Sequence, residues 1–171
     1  PMTYSLRPHQ QDMLDAMAAN DKGIIQCPTG GGKTYTFITD ARRHLQPGSV
    51  VVVVAPRHLL IHQLFSEFDK HLDDVRYAYR EISSKGRTLR RKPTLFRNPF
   101  RPEAATTLSA EIAESHRKAV KAGVPLVLFT TYDSLQRVID SGVPIAVTYF
   151  DEAHNAASAS ETSSYVTVRN L

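Results

Sequence analysis

The octapeptide Cys27–Thr34, C-P-T-G-G-G-K-T, has the residue types and order of a phosphate-binding loop, G-x-x-x-x-G-K-[ST], with Cys27 standing where the first glycine belongs. Gly30, Gly31 and Gly32 tolerate positive φ, so successive backbone N–H groups can turn toward one anion. An anion held there also lies at the positive end of a helix beginning near Lys33. Lys33 would bring a mobile charge to the β- and γ-phosphates, the Thr34 hydroxyl would ligand Mg²⁺, and Pro28 and Thr29 complete the loop. The bland alternative is a glycine-rich turn that ends a strand. A strand before the motif and a helix after it are the context that the phosphate-binding reading requires. The chemistry is the binding of a nucleoside triphosphate.

A second group of chemistry-bearing residues is Asp151-Glu152-Ala153-His154, directly after the apolar run Ile145–Phe150. Asp151 would hold Mg²⁺ directly or through water, and Glu152 would polarise the attacking water. The alternative is a polar turn after a strand. In open α/β sheets, ligand-binding residues gather beyond the carboxyl ends of the strands, so both motifs can face one crevice.

The elements that must position these motifs follow from periodicity. His9–Asn20 is amphipathic through Met13, Leu14 and Met17, with Pro8 suited to a helix start. Ile24-Ile25 is a short strand into the loop, and Phe37, Ile38, Ala41 and Leu45 recur at helical spacing after it. Five valines, Val50–Val54, predict a strand buried on both faces, hence parallel and central. A helix follows through Leu60, Ile61, Leu64, Phe65, Phe68 and Leu72, and a third strand is placed near Val75–Tyr79. Glu103–Ala122 reads as a helix capped by Gly123, Leu126–Phe129 as a strand, Asp133–Asp140 as a short helix and Ile145–Phe150 as the last clear strand. Alternation without repeats predicts an α/β fold with a mainly parallel central sheet and helices on both faces.

At 171 residues the chain suits a single domain with a buried core, and 42% hydrophobic with 22% charged residues is a globular composition. No apolar run approaches the ~18 residues of a membrane span, and no signal peptide opens the chain, so no membrane partner is expected. Pro1 before Met2 is read as a tag remnant and set aside. One cysteine excludes an internal disulfide and a cysteine-rich zinc cluster, which fits a reducing, intracellular setting, cytoplasmic or with the nucleoid or nucleus. A net charge of +4 hints mildly at a polyanionic partner. His58 and His62 read as packing or surface groups without a metal role, and Cys27 as a small buried thiol.

The order P-T-G-G-G-K-T, a valine strand ending in A-P-R, F-T-T-Y-D-S-L and D-E-A-H resembles superfamily-two helicases and translocases. The resemblance is to the first RecA-like, P-loop domain of the DEAD/DEAH-box and type III restriction-subunit branch, and runs from about Leu6 to Asn155. It implies ATP and Mg²⁺ as cofactors, with Lys33, Asp151 and Glu152 catalytic. Leu6-Arg7-Pro8-His9-Gln10 resembles the adenine-reading segment of the family, with Gln10 on the base edge, supported by Arg7. A glutamine amide offers the donor and the acceptor that such an edge needs; a solvent-facing helix start is the plainer reading. Ala55-Pro56-Arg57 and Thr130-Thr131-Tyr132 resemble two motifs that grip a nucleic-acid backbone, which assigns Pro56, Arg57, Thr130 and Thr131 to DNA or RNA contact without sequence reading. Arg57 as a surface charge at a helix start, and Ser134 as a helix cap, are equally open. His154 links the nucleotide site to the rest of the motor by resemblance alone.

Residues 80–102 form a basic insertion that the family pattern does not explain. Arg80, Lys85, Arg87, Arg90, Arg91, Lys92, Arg97 and Arg101 stand against one acid, Glu81, with Tyr79, Phe96 and Phe100 among them. Phosphate neutralisation with base stacking is available there, and Arg90 and Arg91 are candidate nucleic-acid contacts; a solvated insertion is the alternative. The S-A-T-like motif of the family does not follow D-E-A-H, and the segment Ser163–Leu171 has no assigned role. A single N-terminal ATP-binding domain spanning 1–171, cut before that motif and lacking the second RecA-like domain, is therefore expected. The function implied is the ATPase motor domain of a helicase or translocase, acting on DNA more than RNA and inactive when isolated. Two alternatives stay open: a stand-alone nucleotide or nucleic-acid binding module without turnover, and a different P-loop NTPase in which D-E-A-H is coincidental.

Overall fold

The computed structural model describes residues 22–26, 33–84, 86, 88–91, 103–150 and 164–168. The elements are β1 (Lys22–Gln26), α1 (Lys33–Arg42), β2 (Val50–Ala55), α2 (His58–His71), β3 (Ala78–Ile82), α3 (Ser109–Ala122), β4 (Leu126–Thr131), a 3₁₀ turn (Tyr132–Ser134), α4 (Leu135–Asp140), β5 (Ile145–Phe150) and β6 (Ser164–Val168). The sheet order is β1-β6-β5-β2-β4-β3. Four neighbours, β5, β2, β4 and β3, run parallel, as expected for a mainly parallel α/β sheet.

The valine strand is central, pairing in parallel with β4 on one side and β5 on the other. All six residues of β2 are buried. Period-two alternation divides them: Val51, Val53 and Ala55 join a core with Phe37, Ile38, Phe65 and Phe68 of α1 and α2, whereas Val50, Val52 and Val54 join Ile112, Ala119 and Val138 of α3 and α4 on the opposite face. A strand with no wet face needs no polar alternation, which is why its sequence is a run. Aromatic rings fill the first layer. Phe68 sits edge-on to Phe129 with centroids 5.2 Å apart, and Phe37 lies 5.3 Å from Tyr149.

Helix α3 ends as its sequence predicts. Gly123 adopts φ 72°, ψ 32°, the left-handed cap conformation that only glycine enters without steric cost. Its start differs. Instead of Glu103 the helix begins at Ser109, because Thr106 bridges Ile82 and extends the edge of β3. There the Thr106 N–H donates to Glu81 O, and the Ser83 N–H donates to Thr106 O.

β3 also lies further along than expected, at Ala78–Ile82, and takes in Arg80 and Glu81. Arg80 is thus a buried strand residue and not part of a solvated insertion. It donates to Ala104 O at 2.8 Å and Ser115 Oγ at 3.0 Å and pairs with Glu103. β6, unassigned from sequence, is antiparallel to both β1 and β5 and lies between them. β1 and β5 therefore point the same way, as do β2, β3 and β4. Among the described residues no helix is long and apolar enough to cross a membrane.

Candidate functional site

Strands pointing one way deliver their carboxyl ends to one edge of the sheet, and the sequence motifs follow those ends. β1 ends at Gln26, immediately before Cys27, and α1 begins at Lys33, so strand and helix bracket the glycine-rich segment. β5 ends at Phe150, immediately before Asp151. The candidate residues Arg7, Gln10, Pro28, Thr29, Gly30, Gly31, Gly32, Asp151 and Glu152 lie outside the described residues, as does His154. Lys33 and Thr34 are the first two residues of α1.

A buried carboxylate fixes α1 against β5. Asp40, on α1, is 2% exposed; it accepts a hydrogen bond from the Tyr149 hydroxyl and another from Arg43 Nε at 2.8 Å. Tyr149 is fully buried and stands two residues before Asp151. A charged acceptor bound to a buried phenol is among the stronger pairings available to a core, and its loss would strand a buried polar group. It couples the helix that carries Lys33 to the strand that leads to Asp151.

The A-P-R and T-T-Y segments meet on the same edge. Parallel pairing puts Ala55 opposite Thr131, and Ile82 opposite Thr130, so β2, β3 and β4 end level. Beyond them lies a pocket of about 360 Å³ lined by Pro56, Arg57, His58, Ser83, Thr131 and Ser134, with Leu59, Ser84 and Asp133 completing its wall. Arg57 is exposed and extended (φ −143°, ψ 149°) and occupies the N-cap position of α2, where its side chain makes no cap hydrogen bond. The positive end of a 14-residue helix thus faces the pocket beside a guanidinium and several hydroxyls. That combination suits a phosphate oxygen. Asp133 adds one opposing charge at the rim.

The two threonines divide. Thr131 lines the pocket, whereas Thr130 is fully buried, and its hydroxyl donates to Thr131 O at 3.0 Å. Ser134 makes no side-chain cap bond to α4 and lines the pocket instead. The expectation for the basic pair is corrected in one half. Arg90 is exposed, but Arg91 has a side chain 1% exposed. The Arg91 guanidinium donates to Asp69 Oδ1, Val75 O and Leu72 O, each at 2.9 Å, and lies 3.8 Å from the centre of the Tyr77 ring. All three guanidinium nitrogens are engaged inside the fold, and a side chain this buried does not present itself to a phosphate in solvent. Ser83 and Ser84 were missed from sequence because nothing in two serines after a charged strand distinguishes a pocket wall from a turn.

The family model described as type III restriction enzyme, res subunit, matches residues 3–170. Solved structures share the fold, two restriction-modification enzymes among them. One is a nuclease-deletion mutant of the Type ISP restriction-modification enzyme LlaGI in complex with a DNA substrate mimic; its TM-score is 0.63 at 23% identity, over 88% of this chain and 15% of that one. The other is the ATP-dependent Type ISP restriction-modification enzyme LlaBIII bound to DNA; its TM-score is 0.66 at 20% identity, over 94% of this chain and 11% of that one. The chain thus spans a small part of the length of either enzyme. No curated protein matches it.

Proposed function

The chain belongs to the family of the type III restriction enzyme res subunit, and from that premise we propose that it is the ATP-binding motor domain of a helicase or translocase that moves on DNA. The observation that carries this reading is the shared sheet edge. The strands that lead into C-P-T-G-G-G-K-T and D-E-A-H end on the side where Pro56, Arg57 and Thr131 line one pocket. A motor needs a nucleotide site and a backbone grip within reach of one another, and strand ends gathered at one carboxyl edge support a reading that puts both there.

In this reading Lys33 and the backbone from Pro28 to Gly32 hold the phosphates, Gln10 with Arg7 reads adenine, Thr34 and Asp151 ligand Mg²⁺, and Glu152 orients water. The donor set, a hydroxyl and a carboxylate beside phosphate oxygens, suits a hard cation such as Mg²⁺. When bound, the ion neutralises charge on the β- and γ-phosphates. Arg57, Thr131 and the α2 N-terminus hold the DNA backbone; DNA is favoured over RNA by the DNA-bound state of both similar enzymes. The D-E-A-H type of the second motif is part of the proposal.

Fluorescence anisotropy with a labelled DNA duplex, a DNA single strand and an RNA strand tests the grip. Arg57→Ala should weaken DNA binding and flatten the slope of log K against log salt by about one phosphate contact, ~0.7–0.9. An unchanged affinity and slope would remove the pocket from the proposal.

A further inference from the structure

Helix α2 opens with His58 and His62, one turn apart and so on one face. β3 brings Glu81 to the same place, with its side chain fully buried. One ligand atom from each of the three lies within 4.8 Å of the other two. His62 Nε2 pairs with Glu81 Oε1 at 3.0 Å, and His58 Nδ1 is buried and makes no hydrogen bond among the described residues. The second carboxylate oxygen accepts from Ser83 Oγ at 2.6 Å. Gly86 closes one side, since a Cβ at that position would overlap the Glu81 carboxylate and Ser83 Oγ. His58 lines the 360 Å³ pocket, which leaves that side open.

A buried imidazole nitrogen without a hydrogen bond, as at His58 Nδ1, costs free energy. A metal ion at the centre of the three groups would meet that need. We propose that His58, His62 and Glu81 bind one divalent transition-metal ion of the zinc type, with a fourth, exchangeable position facing the pocket. Two imidazoles and one carboxylate form a donor set for such ions, whereas Mg²⁺ and Ca²⁺ take oxygen. Bonds of about 2.0–2.1 Å put tetrahedral ligands ~3.3 Å apart; His62 Nε2 and Glu81 Oε1, at 3.0 Å, already stand near that spacing, so His58 is the group that must close in. It has the freedom to do this, because it is only partly buried and is the first residue of α2. The ion would bolt the start of α2 to the end of β3, and it would add positive charge next to Arg57.

The test is titration of Zn²⁺ alone into the chelator-stripped 171-residue chain, followed by calorimetry, with Co²⁺ as a visible-absorption probe of the same site. Wild type should bind one Zn²⁺ per chain. His58→Ala and His62→Ala should each weaken binding at least about tenfold, the cost of disturbing even an outer-shell partner, and should lose the Co²⁺ spectrum while circular dichroism stays unchanged. Both histidines are partly exposed, so these variants are safer for the fold than a change at Glu81. Absence of stoichiometric Zn²⁺ binding by wild type, or unchanged affinity in both variants, would overturn the site. Displacement of Zn²⁺ by equimolar Mg²⁺ would overturn its metal class.

Discussion

At the scale of single residues, similar side chains have opposite fates. Arg57 and Arg90 face solvent, whereas Arg80 and Arg91 are enclosed by carboxylates and carbonyls. A count of charges along residues 80–102 cannot separate these cases, because burial is decided by where β3 and the strand edge at Thr106 lie. His58, His62 and Glu81 were illegible for the same reason: 19 positions separate His62 from Glu81, and only the α2–β3 connection brings them together. One exposed pair gives a pH-dependent prediction. Arg42 donates to both oxygens of Asp74 at 2.9 and 3.1 Å, and these hydrogen bonds hold the Asp74 carboxyl below its ordinary value of 3.8. A depressed carboxylate stabilises the fold above its unfolded pKa, and the contribution is lost as pH falls through the lower folded value. The pair is half exposed, so Asp74→Asn should cost no more than ~1 kcal/mol near neutrality in urea unfolding, and nothing once the pH is below the folded pKa. A deficit that grows in acid would contradict this assignment.

At the scale of elements, the long apolar signals were legible and the non-local ones were not. The valine run announces a central parallel strand because both its faces are dry, and Gly123 announces the end of α3 because a left-handed residue is needed there. The sequence of β6, S-Y-V-T-V, suits a strand, but its antiparallel place between β1 and β5 depends on partners more than a hundred residues away for β1. Strand β3 was placed too early because Arg80 and Glu81 look like loop residues until their partners are known. Arg91 joins the end of α2, the turn after it and β3 through Asp69, Leu72, Val75 and the Tyr79 hydroxyl, which accepts from the Arg91 N–H at 2.9 Å. Arg91→Ala removes a buried charge from satisfied partners and should destabilise the chain by roughly 3–5 kcal/mol. Arg90→Ala, on the surface, should stay within about 0.5 kcal/mol. Chemical denaturation of the two variants decides this, and equal effects would return Arg91 to the surface.

At the scale of the whole molecule, the proposed nucleotide site and the proposed backbone grip share one edge of the sheet. The Asp40–Tyr149 contact ties together the elements that flank the first, and the level ends of β2, β3 and β4 lie beside the second. Ground-state binding needs only these parts. On the proposed reading, turnover would draw on cationic groups from a further domain, and in P-loop NTPases loss of an arginine finger lowers the rate by about 10³ or more. Because catalysis depends on contacts made in the transition state, residues 1–171 alone should hydrolyse ATP near the background rate, without stimulation by DNA or RNA. Robust DNA-stimulated turnover by this chain would show that it supplies those cations itself.

A triphosphate site between β1 and α1 is tested most directly by calorimetric titration of Mg·ATP into the 171-residue chain and its Lys33→Ala variant. The wild-type chain should bind one nucleotide saturably. The variant, which lacks the charge assigned to the β- and γ-phosphates, should show no measurable binding while its far-UV circular dichroism is unchanged. Equal affinity in the two proteins would contradict the site.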